Sequence, residues 1–195
     1  MVADDSRPPR RVAPEHAHLV EERIDSEQVY RGRLLDVRRD TVRLPDGHTA
    51  TREYIVHPGA VLVVPRFPDG RVIVVRQFRY ANNAVFLEFP AGKLDHGETA
   101  LATAQRELRE EAGYTAATWS RLGLVHTVVA YSTEAIELFL ADDLTHVGGQ
   151  ALDHGEFVDV DAMTCADVIA AAERGEITDV KTVAALWYLS RRSAP

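Results

Sequence analysis

Gly92–Tyr114 reads GKLDHGETALATAQRELREEAGY. The stretch opens as a loop to Gly97, and Thr99–Ala112 reads as a helix stopped by Gly113. Leu101, Ala104, Leu108 and Ala112 recur at helical spacing and predict its buried stripe. At about 100° per residue, Glu107, Glu110 and Glu111 share one side of that helix. Glu98 falls at the loop–helix junction, and only Arg106 and Arg109 stand near these carboxylates. Hard oxygen ligands grouped this way suit Mg2+ or Mn2+, held with waters and substrate phosphate oxygens. The alternative is a solvated acidic face, since like-charge pairs on a helix cost only about 0.2–0.5 kcal/mol each.

Around this stretch, short strands and helices mix without strict βαβ alternation, which favours an α+β fold with a mixed sheet. Val61–Val64, the turn Phe67–Gly70 and Val72–Val75 predict a hairpin. Phe86–Phe89, Leu122–Val129 and Ile136–Leu140 read as further strands, and Ala166–Arg174 and Asp179–Arg191 as helices. Upstream, Glu22–Tyr54 reads as a small strand meander with a turn at Leu44–Gly47. Such a meander has too few partners to bury its apolar face alone. It needs the following domain or a second chain.

The 195 residues suffice for one ordinary domain with a small appendage. A formal charge of -8 argues against wrapping nucleic acid, which needs a basic face. The longest apolar runs are far too short to span a bilayer. The single cysteine, Cys165, forms no internal disulfide and fits a reducing cytoplasm. The polar, Pro- and Arg-bearing start, taken as residues 1–18, reads as a disordered tail without the apolar stretch of a signal peptide. No histidine or cysteine spacing suggests zinc, and His57, His126, Trp119 and Trp187 read as structural residues.

The complete spacing is G-x5-E-x7-R-E-U-x-E-E-x-G-U, where U is bulky and apolar or aromatic. It resembles the Nudix box at every defining position: Gly92, Glu98, Arg106, Glu107, Leu108, Glu110, Glu111, Gly113 and Tyr114. Its seven fixed positions would coincide by chance on the order of once per billion windows. The resemblance implies an α/β/α Nudix sandwich with a mixed β-sheet over 57–195, plus a small N-terminal antiparallel β region at 19–56. It also implies a metal-dependent hydrolase of nucleoside diphosphates linked to another group. Glu107 and Glu111 would be the principal metal ligands, with Glu110 and the Ala91 carbonyl beside them. Arg106 would orient the glutamates, and Glu98 would secure the loop and aid catalysis.

Further segments resemble the ADP-ribose pyrophosphatase branch. They are Thr51–Glu53, His57–Ala60, Val75–Tyr80, Leu87–Asp95 and Gly175–Val183, so the likeness covers roughly residues 28–190. That branch implies a domain-swapped homodimer with substrate between the subunits. It implies hydrolysis of ADP-ribose to AMP and ribose 5-phosphate. By position, Arg52, Arg79, Arg76 and Glu134 would contact substrate, guanidinium groups suiting bidentate phosphate binding. Glu156, in the loop after the box, is the best match for the branch's loop glutamate, which contributes the general base or a further metal contact; an ordinary surface glutamate is the alternative. Val128–Glu134 departs from the branch by lacking its prolyl turn, which bears on substrate choice. The long N-terminal strand region and the Arg76–Arg79 motif disfavour one rival, a housecleaning enzyme acting on oxidised nucleoside triphosphates. Two other rival readings remain. One is the same chemistry on another nucleoside diphosphate sugar or ADP-linked compound. The other is a nucleotide-sensing module without turnover, which the complete glutamate set disfavours.

Overall fold

A computed structural model describes residues 12–152 and 154–192. Of the stretch expected to be a tail, residues 1–11 lie outside the described residues. Pro14–Leu19 forms a short 3-10 helix with no buried side chain.

The chain divides into two compact units. One holds the residues up to Pro58 together with Val128–Glu134, and the other holds Gly59–Thr127 and the residues from Ala135 onward. The first contains an antiparallel sheet of β1 (Glu22–Arg31), β2 (Asp36–Arg43) and β3 (Thr49–Val56), in that order. Gly47, at φ 90, makes the expected β2–β3 turn. Val128–Glu134 is tied to the end of β3. Ile55 N donates to the Tyr131 carbonyl at 2.9 Å, and Thr133 N donates to the Ile55 carbonyl at 3.0 Å. Nothing in the sequence signals this return of a distant segment.

The second unit contains two sheets. Strands β4 (Ala60–Pro65), β7 (Ala91–Lys93), β8 (Tyr114–Val125) and β9 (Ile136–His146) form a sheet ordered β7-β4-β9-β8. Strands β5 (Arg71–Arg79), β6 (Ala84–Glu88) and β10 (Val158–Thr164) form one ordered β10-β5-β6. The β4–β9 pair is parallel and the other pairs are antiparallel, so the sheet is mixed as expected. Helices α1 (Ala100–Ala112), α2 (Cys165–Glu173) and α3 (Val180–Arg192) complete the unit.

Every residue of β4 is buried, which explains its unbroken apolar run. Its side chains alternate between two cores. Ala60, Leu62 and Val64 join Val168, Ala171, Ala185, Leu186 and Leu189 of α2 and α3. Val61 and Val63 join Ala104, Leu108 and Ala112 of α1. Helices therefore cover β4 on both sides, the α/β/α arrangement. No helix among the described residues is long and apolar enough to cross a membrane.

Three sequence expectations change. The strand expected over Leu122–Val129 instead runs Tyr114–Val125, and Val128 and Val129 fall in the first unit. The Phe67–Gly70 turn forms, with Gly70 N donating to the Phe67 carbonyl at 2.9 Å and an antiparallel bridge between Arg66 and Val72, but the pairing stops there and β4 and β5 lie in different sheets. β4 already pairs with β7 and β9 along its two edges, so β5 enters the other sheet. On α1, Leu101 is 40 % exposed rather than buried. Thr103, Glu107 and Glu111 take inward positions beside Ala104, Leu108 and Ala112.

Candidate active site

Helix α1 presents the site because both of its ends are fixed. Thr99 caps the start, its hydroxyl accepting from Ala102 N at 3.2 Å. Gly113 ends it in the left-handed conformation at φ 74. Facing the helix is Ala91–Lys93. Ala91 N donates to Glu111 Oε2 at 3.1 Å. A Cβ on Gly92 would stand 1.9 Å from Glu107 Oε1, so Gly92 is bare because the Glu107 carboxylate occupies that space.

Arg106 gathers the remaining acids. It donates to Glu98 at 3.1 Å, Glu107 at 2.8 Å, Glu110 at 2.9 Å and the Lys93 carbonyl at 3.2 Å. Burial works against its charge, and the surrounding carboxylates more than offset this, raising its pKa. Glu98 also accepts from the Thr103 hydroxyl at 2.9 Å, which pins the loop to the helix. Hydrogen bonds from Arg106 and Thr103 hold the Glu98 pKa low.

Glu107, within this cluster, and Glu111 are the buried carboxylates of the site. They are 9 % and 4 % exposed. Burial, the main cause, raises Glu107 to about 7, and burial with the adjacent Glu107 charge raises Glu111 to about 8. The charge of Glu156, an exposed loop glutamate, contributes to both shifts. Its loop is held to α1: Ala151 N donates to the Glu110 carbonyl at 2.9 Å, and Gln150 Nε2 to the Glu111 carbonyl at 2.7 Å.

The other expected residues separate. Arg79 forks onto Glu88 at 2.8 and 2.7 Å, and the Glu111 charge contributes to its raised pKa. Arg76 is exposed and pairs with Asp161 at 3.1 Å. Arg52 and Glu134 belong to the other unit, Arg52 bound to Glu21 at 2.9 Å and Glu134 lying 3.5 Å from His57. A cavity of about 590 Å3 opens beside α1, lined in part by Arg106, Arg109, Glu110 and Trp119. Sequence reasoning gave no role to Glu88, Asp179, Lys181 or Gln150. The first three lie inside the segments that carried the branch resemblance, which was their only signal.

A family model for the NUDIX domain matches residues 56–186, and one for the nucleoside diphosphate sugar hydrolase N-terminal domain matches residues 21–55. The chain belongs to the Nudix family. It is 38% identical to the ADP-ribose pyrophosphatase of Bacillus subtilis (strain 168), over 90% of this chain and 96% of that protein. It is 37% identical to the methanol dehydrogenase activator of Bacillus methanolicus, over 89% and 95%. Its fold matches a crystal structure of an ADP compounds hydrolase at TM-score 0.78 and 24% identity, covering 88% of this chain and 92% of that one.

Nudix hydrolases generally need a divalent metal. Among the described residues no three acidic, His or Cys side chains converge as a ready-made metal cluster. Arg106 pairs with Glu107 and Glu110. The donor set nevertheless fits a hard cation: two buried carboxylates raise each other's cost of ionisation, and a divalent ion would offset it.

Proposed function

We propose that this Nudix chain hydrolyses the diphosphate of ADP-ribose to AMP and ribose 5-phosphate with Mg2+, or Mn2+ in its place. The observation that carries the reading is the buried pair Glu107 and Glu111 set against Ala91–Gly92. The Bacillus subtilis relative, matched over nearly its whole length, supports the substrate.

Glu107 and Glu111 would hold the metal, with Glu110 and the Ala91 carbonyl beside them. When bound, the ion neutralises diphosphate charge and makes a water more acidic. Arg106 keeps Glu107 and Glu110 oriented, and Glu98 fixes the loop between β7 and α1. Arg79 offers a guanidinium to a phosphate, and Arg52, Arg76 and Glu134 are assigned to substrate as well. Glu156, exposed and with its charge contributing to the shifts of both buried carboxylates, takes the proton of the attacking water at its carboxylate oxygen. In-line attack on phosphorus then releases the two products.

Residues 19–56 are assigned to a domain-swapped homodimer. Ile24, Val29, Tyr30, Leu34 and Leu35 are all at least 40 % exposed there, an apolar surface suited to a second copy. The setting is a reducing cytoplasm, in keeping with the single Cys165.

The deciding assay follows ADP-ribose with Mg2+ or Mn2+ and separates AMP from ribose 5-phosphate. Metal-dependent formation of both, abolished in Glu111→Gln, is expected. Folded protein that forms neither overturns the reading. A second reading is another ADP-linked compound. It is favoured by the Val128–Ser132 turn, which closes through Ser132 N to the Val128 carbonyl at 3.0 Å without proline. A substrate panel separates the two.

A further inference from the structure

Glu88 ends β6 and is 2 % exposed. A carboxylate so deeply buried is costly unless paired and hydrogen-bonded. Arg79 donates from Nε to Oε1 at 2.8 Å and from Nη2 to Oε2 at 2.7 Å, a bidentate fork. Lys181, in the first turn of α3, donates to the same Oε2 at 2.5 Å and lies 2.9 Å from Asp179 Oδ2. Burial works against Glu88 ionising, yet the two cations hold its pKa below the usual carboxylate range.

The same helix start is anchored beside them. Thr182 donates to Asp179 from N at 3.1 Å and from its hydroxyl at 2.7 Å. The Thr182 hydroxyl oxygen accepts from Phe89 N at 3.1 Å. Side-chain exposure is graded across the cluster: Glu88 2%, Lys181 13%, Asp179 14% and Arg79 41%. Three sealed groups thus hold one outward guanidinium. Glu88 takes its Nε–Nη2 edge, and Nη1 has no partner among the described residues.

We propose that Lys181 is a positioning residue that acts through Glu88 to hold Arg79 for the substrate's diphosphate. This rests on the reading of Arg79 as a phosphate contact. The formal charges of Arg79, Lys181, Glu88 and Asp179 cancel, so the effect is placement rather than surplus charge. By sharing Oε2, Lys181 keeps Glu88 seated and leaves Arg79 only partly neutralised by its own partner. A phosphate then meets a guanidinium whose orientation is already fixed.

Lys181→Met keeps the stem and removes the charge, whereas Lys181→Arg keeps the charge. Thr182→Val loosens the same helix start without touching Glu88. In Lys181→Met, KM for ADP-ribose is expected to rise about tenfold with kcat within about twofold. Calorimetry with ADP on metal-free protein should show a matching loss of affinity, and Lys181→Arg should recover most of both. Thr182→Val should lower the melting temperature and leave KM unchanged. Unchanged KM and ADP affinity in Lys181→Met overturns the proposal, as does an equal KM rise in Thr182→Val. If Lys181→Met does not fold, Lys181→Gln takes its place in the same comparison. If the wild type hydrolyses no ADP-ribose, the proposed activity fails on its own. The ADP titration then still decides: weaker binding in Lys181→Met supports the positioning role, and equal binding overturns it.

Discussion

A single missing methyl group sets the placement of Glu107. The three atoms nearest to a Gly92 Cβ belong to the Glu107 carboxylate, the far end of a flexible side chain. Gly92→Ala should therefore fold and melt close to the wild type while its activity falls about 100-fold, the cost of a displacement near 1 Å at a reacting centre. Circular dichroism with the product assay checks both halves. The buried pair also sets a pH dependence. In the folded metal-free chain Glu107 titrates at about 7 and Glu111 at about 8, against 4.5 for an ordinary glutamate. Between those limits the folded state holds more protons than the unfolded state, so stability falls as pH rises. The melting temperature of chelator-treated protein should drop from about pH 5 to about pH 8.5, and Glu111→Gln should flatten much of the drop. A melting temperature that rises over this range contradicts the assignment. These glutamates were legible because one helix turn links them. Glu88 and Lys181 were not, because 93 residues separate them and only the packing of α3 brings them together.

Helix α1 is the element on which the site depends, and its C-terminus does two things. Gly113 closes the helix at φ 74, and its ideal Cβ position lies 2.2 Å from the Gly148 carbonyl oxygen. The contact is with backbone, so no side-chain rotation relieves it. Gly113→Ala combines left-handed strain with that clash and should cost about 2 kcal/mol or more. It should also displace the loop bearing Glu156, which starts from Val147 N donating to the Gly113 carbonyl at 2.9 Å. Thr99→Ala, at the other end, should cost only about 1 kcal/mol and leave the glutamates in place. Denaturant melts and kcat measured on both variants separate the two effects: lost activity is expected only for Gly113→Ala. The helix was readable because cap, stripe and stop agree within one segment. The apolar pattern erred on burial alone: Leu101 is a better apolar residue than Glu107 and yet faces outward, while Glu107 is buried. The expected β4–β5 hairpin failed for a non-local reason. Its turn is genuine, but β9 arrives from far along the chain to take the parallel edge of β4.

At the scale of the molecule, the antiparallel meander poses the remaining question of stability. Its burial pattern gives β1 no fully buried residue, and Ile24 and Leu34 stand 48 % and 61 % exposed. Three strands need a covered apolar face to be stable on their own, and in the proposed dimer a second copy would supply one by symmetry. The chain should therefore sediment at twice its own mass. Ile24→Asp and Leu34→Asp place charges where each side chain is already half in solvent, so a monomer would tolerate them with a stability change within about 0.5 kcal/mol. At an interface the same charges are desolvated without partners and should shift the chain to monomer. Under the proposed substrate role of Arg52, which lies in this unit, the monomeric variants should show a raised KM and a kcat close to that of the wild type. Sedimentation run beside steady-state kinetics tests the link. Variants that remain dimeric, or monomers with wild-type KM, would detach the meander from both assembly and substrate binding.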